Sequence, residues 1–105
     1  MNKFIASGRL VADPQQIAET AKGKVMVFKL AVDTRRDQTD FPEFKVFGKV
    51  GSHVAEYLKK GYQVEVEAEF RTERFEHEGK EEFRESFHVI GFPNITSWPK
   101  KSDQQ

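Results

Sequence analysis

Residues 62–75, "YQVEVEAEFRTERF", alternate apolar and charged side chains from Val64 onward. Successive side chains of an extended strand point to opposite faces, so Val64, Val66, Ala68 and Phe70 share one face, and Glu65, Glu67, Glu69, Arg71 and Phe75 the other. That is the pattern of a strand with one buried and one solvated face, as in antiparallel sheets. Immediately upstream, "GSHVAEYLKKG" (residues 51–61) changes the period: Val50, Val54 and Leu58 recur at helical spacing. Lys59 and Lys60 suit the negative end of a helix dipole, and Gly61 suits the position just past the helix end. One short helix is therefore expected before this strand. Downstream, "HEGK" (residues 77–80) supplies a hairpin turn into "EEFRESFHVI" (residues 81–90), which makes the pair a long hairpin.

Three more strand-like segments precede the helix: "KFIASGRL" (3–10), "GKVMVFKLAVDT" (23–34) and "FPEFKVFG" (41–48), each bounded by turn chemistry. In the second, Met26, Phe28, Leu30 and Val32 alternate with Val25, Val27, Lys29 and Ala31. Phe28 and Leu58 are core positions by this spacing. Three strands, a helix and a long hairpin are the element order of an all-β, five-stranded OB-fold barrel, with its one short helix between strands three and four. In this Greek-key barrel the second and third strands form a face that binds oligonucleotides or oligosaccharides. Residues 1–98 are expected to form this domain and residues 99–105, "PKKSDQQ", a polar tail. Element order by itself assigns no function.

The chain has 105 residues, enough for one domain with a modest core and no second catalytic one. It has no cysteine, which excludes a disulfide framework and a thiolate zinc site and fits a reducing compartment. No apolar run approaches a membrane span, and Arg9 falls where a signal peptide needs its apolar region. A cytoplasmic protein without a membrane partner is expected. Its 17 basic and 17 acidic residues cancel, so any basic surface for a polyanion must be local. Ten phenylalanines are many for such a chain. Several are expected to lie outside the core.

The best case for an enzyme is the acidic group Glu73, Glu76, Glu78, Glu81, Glu82 and Glu85 as a magnesium site. Magnesium-assisted phosphoryl chemistry needs carboxylates that converge in a shaped pocket. These glutamates instead run along two arms of a hairpin among Arg71, Arg74, Lys80 and Arg84, the pattern of a solvated ribbon with cross-strand ion pairs. His53, His77 and His88 lack zinc-ligand spacing. Ser7, Ser52 and Ser86 have no nucleophile-elbow context, and "GKVG" (48–51) follows a strand where a G-x-x-G clamp joins two helices. No catalytic residue, metal or cofactor is expected.

A binding module fits better. Single strands are held by a basic groove that tracks phosphates and by aromatic rings on which bases stack. In "TDFPEFKVFGKV" (39–50), alternation places Phe41, Glu43, Lys45 and Phe47 on one face and Pro42, Phe44 and Val46 on the other. The first set is either a stacking platform or a half-buried face that covers a subunit or hairpin contact. Arg71 and Phe75 share a parity in the fourth strand, and Arg35 and Arg36 end the second. Lys3, Arg9, Lys49, Arg74 and Arg84 are further candidate phosphate contacts.

The chain resembles the bacterial single-stranded DNA-binding protein family over residues 2 to about 96. "NKFIASGRLVADP" (2–14) resembles the family's first strand, "VFKLAV" (27–32) its second, and "FGKVGSHVAEYLKKGYQVEV" (47–66) its third-strand end, helix and fourth-strand start. "RTERF" (71–75) resembles its Arg-rich hairpin segment ending in a stacking aromatic. The resemblance implies stacking at Phe41, Phe47 and Phe75, and coating of single-stranded DNA with little sequence preference in replication, recombination or repair. It also implies a homo-oligomer, four chains in most members. The chain departs from the family pattern in four ways. Where members carry an aromatic after strand two, "TRRD" (34–37) offers Arg36 or Arg35. Ala68 replaces a usual glycine, and Glu65, Glu67, Glu69 and Glu73 place acid beside the binding region. The family's acidic C-terminal tail has no counterpart, which marks a short form without tail-mediated recruitment of repair proteins. Neutral charge and the acidic fourth strand keep an alternative open: an OB-fold protein-interaction or structural module with weak or no DNA binding.

Overall fold

The computed structural model describes residues 1–99; the expected polar tail, apart from Pro99, lies outside the described residues. Eight strands and one α-helix follow in the order β1 (Phe4–Leu10), β2 (Gln15–Thr20), β3 (Gly23–Asp33), β4 (Thr39–Asp40), β5 (Glu43–Val46), α1 (Gly48–Tyr57), β6 (Gln63–His77), β7 (Lys80–Val89) and β8 (Asn94–Ser97).

Five of these strands close a ring in the order β1, β3, β5, β7, β6 and back to β1. β1 pairs antiparallel with the end of β3 (Arg9 opposite Ala31) and with β6 from Phe4 opposite Ala68 to Arg9 opposite Gln63. β5 pairs antiparallel with β3 through Phe28 and Phe44, and parallel with β7 through Phe44 and Phe87. The β6–β7 ribbon runs from Ala68 opposite Val89 out to His77 opposite Lys80. This is the five-stranded OB-fold barrel, and closure leaves no long open edge in the ring.

The core follows the alternation of the sequence. Met26, Phe28 and Leu30 of β3, Phe44 and Val46 of β5, and Val64, Val66 and Ala68 of β6 are buried together with Leu10. Phe44 sits centrally, its ring 5.5 Å from Phe28, 6.0 Å from Phe4 and 6.2 Å from Phe87. α1 and the residue that caps it close one end of the barrel through Val54 and Leu58, both fully buried. Gly51 lies so close to β3 that a Cβ there would fall 1.8 Å from the Lys24 carbonyl oxygen. Beside it the Ser52 hydroxyl accepts the Lys24 N–H at 3.2 Å.

Several boundaries differ from the sequence reading. The helix begins three residues earlier than residues 51–61 and ends at Tyr57, because Leu58 turns extended (φ −93°, ψ 135°) to enter the core. Lys59, Lys60 and Gly61 therefore form the turn into β6 instead of the helix end. The Asp13 carboxylate accepts the Lys60 N–H at 2.8 Å, and the Leu10 carbonyl accepts the Gly61 N–H at 2.9 Å. Gly61 keeps a special backbone role there, at φ +89°. The third strand is only Glu43–Val46; Phe41 and Pro42 precede it outside any regular element, and Phe47 follows it in extended conformation. β2, β4 and β8 were not expected. β2 is exposed throughout, so it lacks the apolar alternation that marks a half-buried strand. Glu78 and Gly79, at φ 52° and 78°, form the two-residue turn expected at "HEGK". Phe70 keeps the parity of the buried face but is 40% exposed, because it lies where the β6–β7 ribbon leaves the barrel.

Candidate nucleic-acid interface

β5 is short, and its two inward side chains orient the rest of the segment. Phe44 and Val46 are fully buried, which turns Lys45 and Phe47 outward on the other face of the same strand. Phe47 is 43% exposed and Phe41 57%, against 0% for Phe44. The two rings predicted to share a face away from the core are thus the two open to solvent.

Strand pairing then brings distant residues onto that outer surface. Parallel pairing sets Lys45 beside His88, and the ribbon register sets Arg71 opposite Ser86, Glu73 opposite Arg84 and Phe75 opposite Glu82. Glu73 is the hub. The Lys45 ammonium donates to both of its oxygens, at 3.0 Å (Oε1) and 2.8 Å (Oε2). Arg84 Nε lies 3.4 Å from Oε1, and His88 Nε2 lies 3.2 Å from Oε2. From this hub contacts run to both rings: the His88 imidazole lies 4.8 Å from the Phe47 ring, and the Arg84 guanidinium lies over Phe75 at 5.3 Å. Two aromatics separated by a cluster of cations is a geometry that can offer stacking surfaces and phosphate donors together.

The Lys45 hydrogen bond holds Glu73 below the usual carboxylate range, against the upward pull of partial burial, with His88 adding in the same direction as Lys45. A carboxylate with a depressed folded pKa stabilises the fold above its unfolded pKa, and that contribution is lost as pH falls through the folded value. Thermal melts of wild type and Glu73→Gln should therefore differ most at neutral pH and converge below the carboxylate range. A gap that widened on acidification would contradict this sign.

The other candidate residues are dispersed. Lys3 pairs with Glu67 at 3.2 Å and Arg71 with Glu69 at 3.4 Å. Arg74 projects from the opposite face of the ribbon, where it lies 5.6 Å over Phe83 and 3.4 Å from Glu81. Arg9 points outward from β1, between β3 and β6. Arg35 and Arg36 stand beyond the end of β3, in a 3₁₀ turn (Arg35–Asp37) where Arg36 and Asp37 adopt φ of 67° and 58°. Thr34 closes this exposed loop on the Gln38 carbonyl, its N–H donating at 2.8 Å and its hydroxyl at 2.9 Å. Lys49 is exposed in the first turn of α1. Arg9, Arg35, Arg36 and Lys49 form no ion pair among the described residues.

His88 was weighed only as a zinc ligand in the sequence reading. Its place beside Phe47 depends on the parallel β5–β7 pairing, which no local pattern announces. His53, the other histidine near an aromatic cluster, packs between Tyr57 (4.7 Å) and Phe92 (4.9 Å). Among the described residues no three His, Asp or Glu side chains come together to hold a metal ion. No helix among them is long and apolar enough to cross a membrane.

Residues 1–91 match the Single-strand binding protein family. The chain belongs to that family. Among its curated relatives are single-stranded DNA-binding proteins of Clostridium perfringens, 37% identical over 79 residues (72% of this chain, 53% of the relative), and of Thermotoga maritima, 37% identical over 83 residues (71% and 59%). A third, from Treponema pallidum, is 32% identical over 87 residues (76% and 49%). The chain thus spans about half of these relatives' lengths. The names of family and relatives describe binding and no catalysis. The closed barrel and short helix described above are this family member's framework; Phe41 and Phe47 are exposed on it, and Phe75 is half-buried under Arg84.

Proposed function

We propose that this protein binds single-stranded DNA with little sequence preference, through base stacking on Phe41, Phe47 and Phe75 and phosphate contacts from surrounding cations. Residues 1–98 act as the binding domain. The observation that carries this reading is the exposure of Phe41 and Phe47 on the face opposite fully buried Phe44 and Val46. Rings held open to solvent on one face are available for stacking, and single-stranded nucleic acid has π-faces to cover them. Membership of the family and the names of the relatives support the same ligand. The proposed phosphate contacts are Lys3, Arg9, Arg35, Arg36, Lys45, Lys49, Arg71, Arg74 and Arg84, with Arg36 or Arg35 lying against a base near Phe41. Replication, recombination and repair are the processes such coating would serve. A homotetramer is the proposed assembly, and light scattering on the purified protein measures it.

Titration with oligo-dT over a range of salt tests the reading. Replacing Phe41, Phe47 or Phe75 by Ala should each weaken binding by about 1–3 kcal/mol, a range established for single-strand binding proteins as a class and borrowed from them. Each phosphate neutralised should add about −0.7 to the slope of log affinity against log salt. Duplex DNA of equal length should bind far more weakly, since its bases are already stacked. The second reading, a barrel that has lost tight DNA binding, draws on the zero net charge and on the glutamates that neutralise Lys3, Lys45, Arg71, Arg74 and Arg84. Absence of oligo-dT binding at low salt would select it.

A further inference from the structure

The Lys45–Glu73–Arg84 cluster occupies the ground between the Phe47 and Phe75 rings. A strand running from one ring to the other would pass over it. Lys45 and Arg84 are the cations best placed to meet its phosphates, yet both already hold a carboxylate. We propose that Glu73 is an internal competitor for the phosphate backbone: it occupies Lys45 and Arg84, and single-stranded DNA makes full contact only by displacing its carboxylate from them. The proposal rests on the single-stranded DNA reading above.

Three features support displacement over a fixed structural role. A carboxylate and a phosphodiester present oxygens of the same charge to the same N–H donors, so they compete for one set of bonds. Lys45 and Glu73 keep 14% and 22% of their side-chain surface exposed, and Arg84 63%, so the cluster reaches solvent mainly on its Arg84 side. The Glu73–Arg84 arm, with Arg84 largely exposed and the contact at 3.4 Å, is weak enough to exchange partners, while the more buried Lys45–Glu73 arm is held more firmly. Finally, all of Glu73's side-chain partners among the described residues are the side chains of Lys45, Arg84 and His88. It holds no backbone group, so its departure leaves none unsatisfied.

Competition has a measurable consequence. In the wild type, a phosphate arriving at Lys45 takes the place of Glu73, and little net positive charge is made available to it. Converting the carboxylate to an amide of the same shape frees the cations while keeping an oxygen for Lys45 to contact. The experiment compares wild type, Glu73→Gln and Glu76→Gln by fluorescence polarisation with labelled oligo-dT at several salt concentrations. Glu76→Gln makes the same change in net charge on the opposite face of the ribbon. Glu73→Gln should bind roughly two- to fivefold more tightly at low salt, the range of one partly exposed ion pair. Its salt slope should steepen by about 0.7 per freed cation, while Glu76→Gln stays close to wild type in both. The gain should shrink when Lys45 is already Gln, as a double-mutant cycle reads directly. Should Glu73→Gln melt below the assay temperature, Glu73→Thr, which removes the same charge with a residue suited to a strand, gives the same comparison. Wild-type binding with unchanged or weaker affinity in the Glu73 variant would overturn the competitor role and leave the DNA reading standing. Absence of binding by every variant would sink both.

Discussion

Phe44→Ala is expected to lose about 3–5 kcal/mol of folding stability, the cost of truncating a buried phenylalanine whose cavity cannot collapse. Phe44 is fully buried, and its ring is surrounded by Phe4, Phe28 and Phe87 from three different strands. Each of those neighbours is held by its own strand pairing, so none can move far to fill the gap. Among the described residues, strand β5 is also the only bridge between β3 and β7, and it is four residues long. A domain of this size is stable by about 5–15 kcal/mol, so the loss removes a large share of the total. At about 4–8 °C per kcal/mol, the melting temperature should fall by tens of degrees. Equilibrium unfolding in urea measures the change. Phe47→Ala, three residues along the same segment, should cost much less, because that ring is 43% exposed. Equal losses in the two variants would make Phe47 a structural ring and remove it from the proposed interface.

Gly51→Ala should be the most damaging change to α1, although alanine is ordinarily better than glycine inside a helix by about 1 kcal/mol. Gly51 is buried, and its φ is not in the left-handed region, so backbone strain is no obstacle. Space is the obstacle. A Cβ would fall 1.8 Å from the Lys24 carbonyl oxygen, 2.9 Å from its carbon and 3.2 Å from the Val46 carbonyl oxygen. These are backbone atoms of β3 and β5, which cannot rotate away as a side chain would. The helix must lift off the barrel end, loosening Val54 and Leu58 from the core and undoing the Ser52–Lys24 hydrogen bond. Overpacking of this kind costs about 1–3 kcal/mol and occasionally more, which outweighs the propensity gain. Urea denaturation should show a net loss, and a variant as stable as wild type would mean that the helix docks less closely than this geometry requires.

The cluster around Glu73 shows where local pattern ends. Alternation in residues 64–75 and 43–47 placed Glu73, Phe75, Lys45 and Phe47 on outward faces, and the structure agrees. Acid on the fourth strand was read as a load beside the binding region. That one glutamate gathers Lys45, Arg84 and His88 was not legible, since Lys45 and Glu73 are 28 residues apart and meet only across β7. Arg74 makes the converse point. It is a further candidate phosphate contact by its charge, but adjacent positions on a strand face opposite ways, and it lies over Phe83 on the face away from Phe75.

By itself the sequence determined which side chains of each long strand turn inward, that one helix separates the third and fourth ring strands, and that a two-residue turn joins the last two. Each of these is written in a period of apolar residues or in a turn residue, because burial selects side chains directly. Only the tertiary structure decided which strands lie side by side, that β5 and β7 run parallel, and that β2, β4 and β8 exist. Backbone hydrogen bonds hold those pairings, every residue except proline brings the same N–H and C=O groups to them, and they therefore leave little trace in the order of side chains.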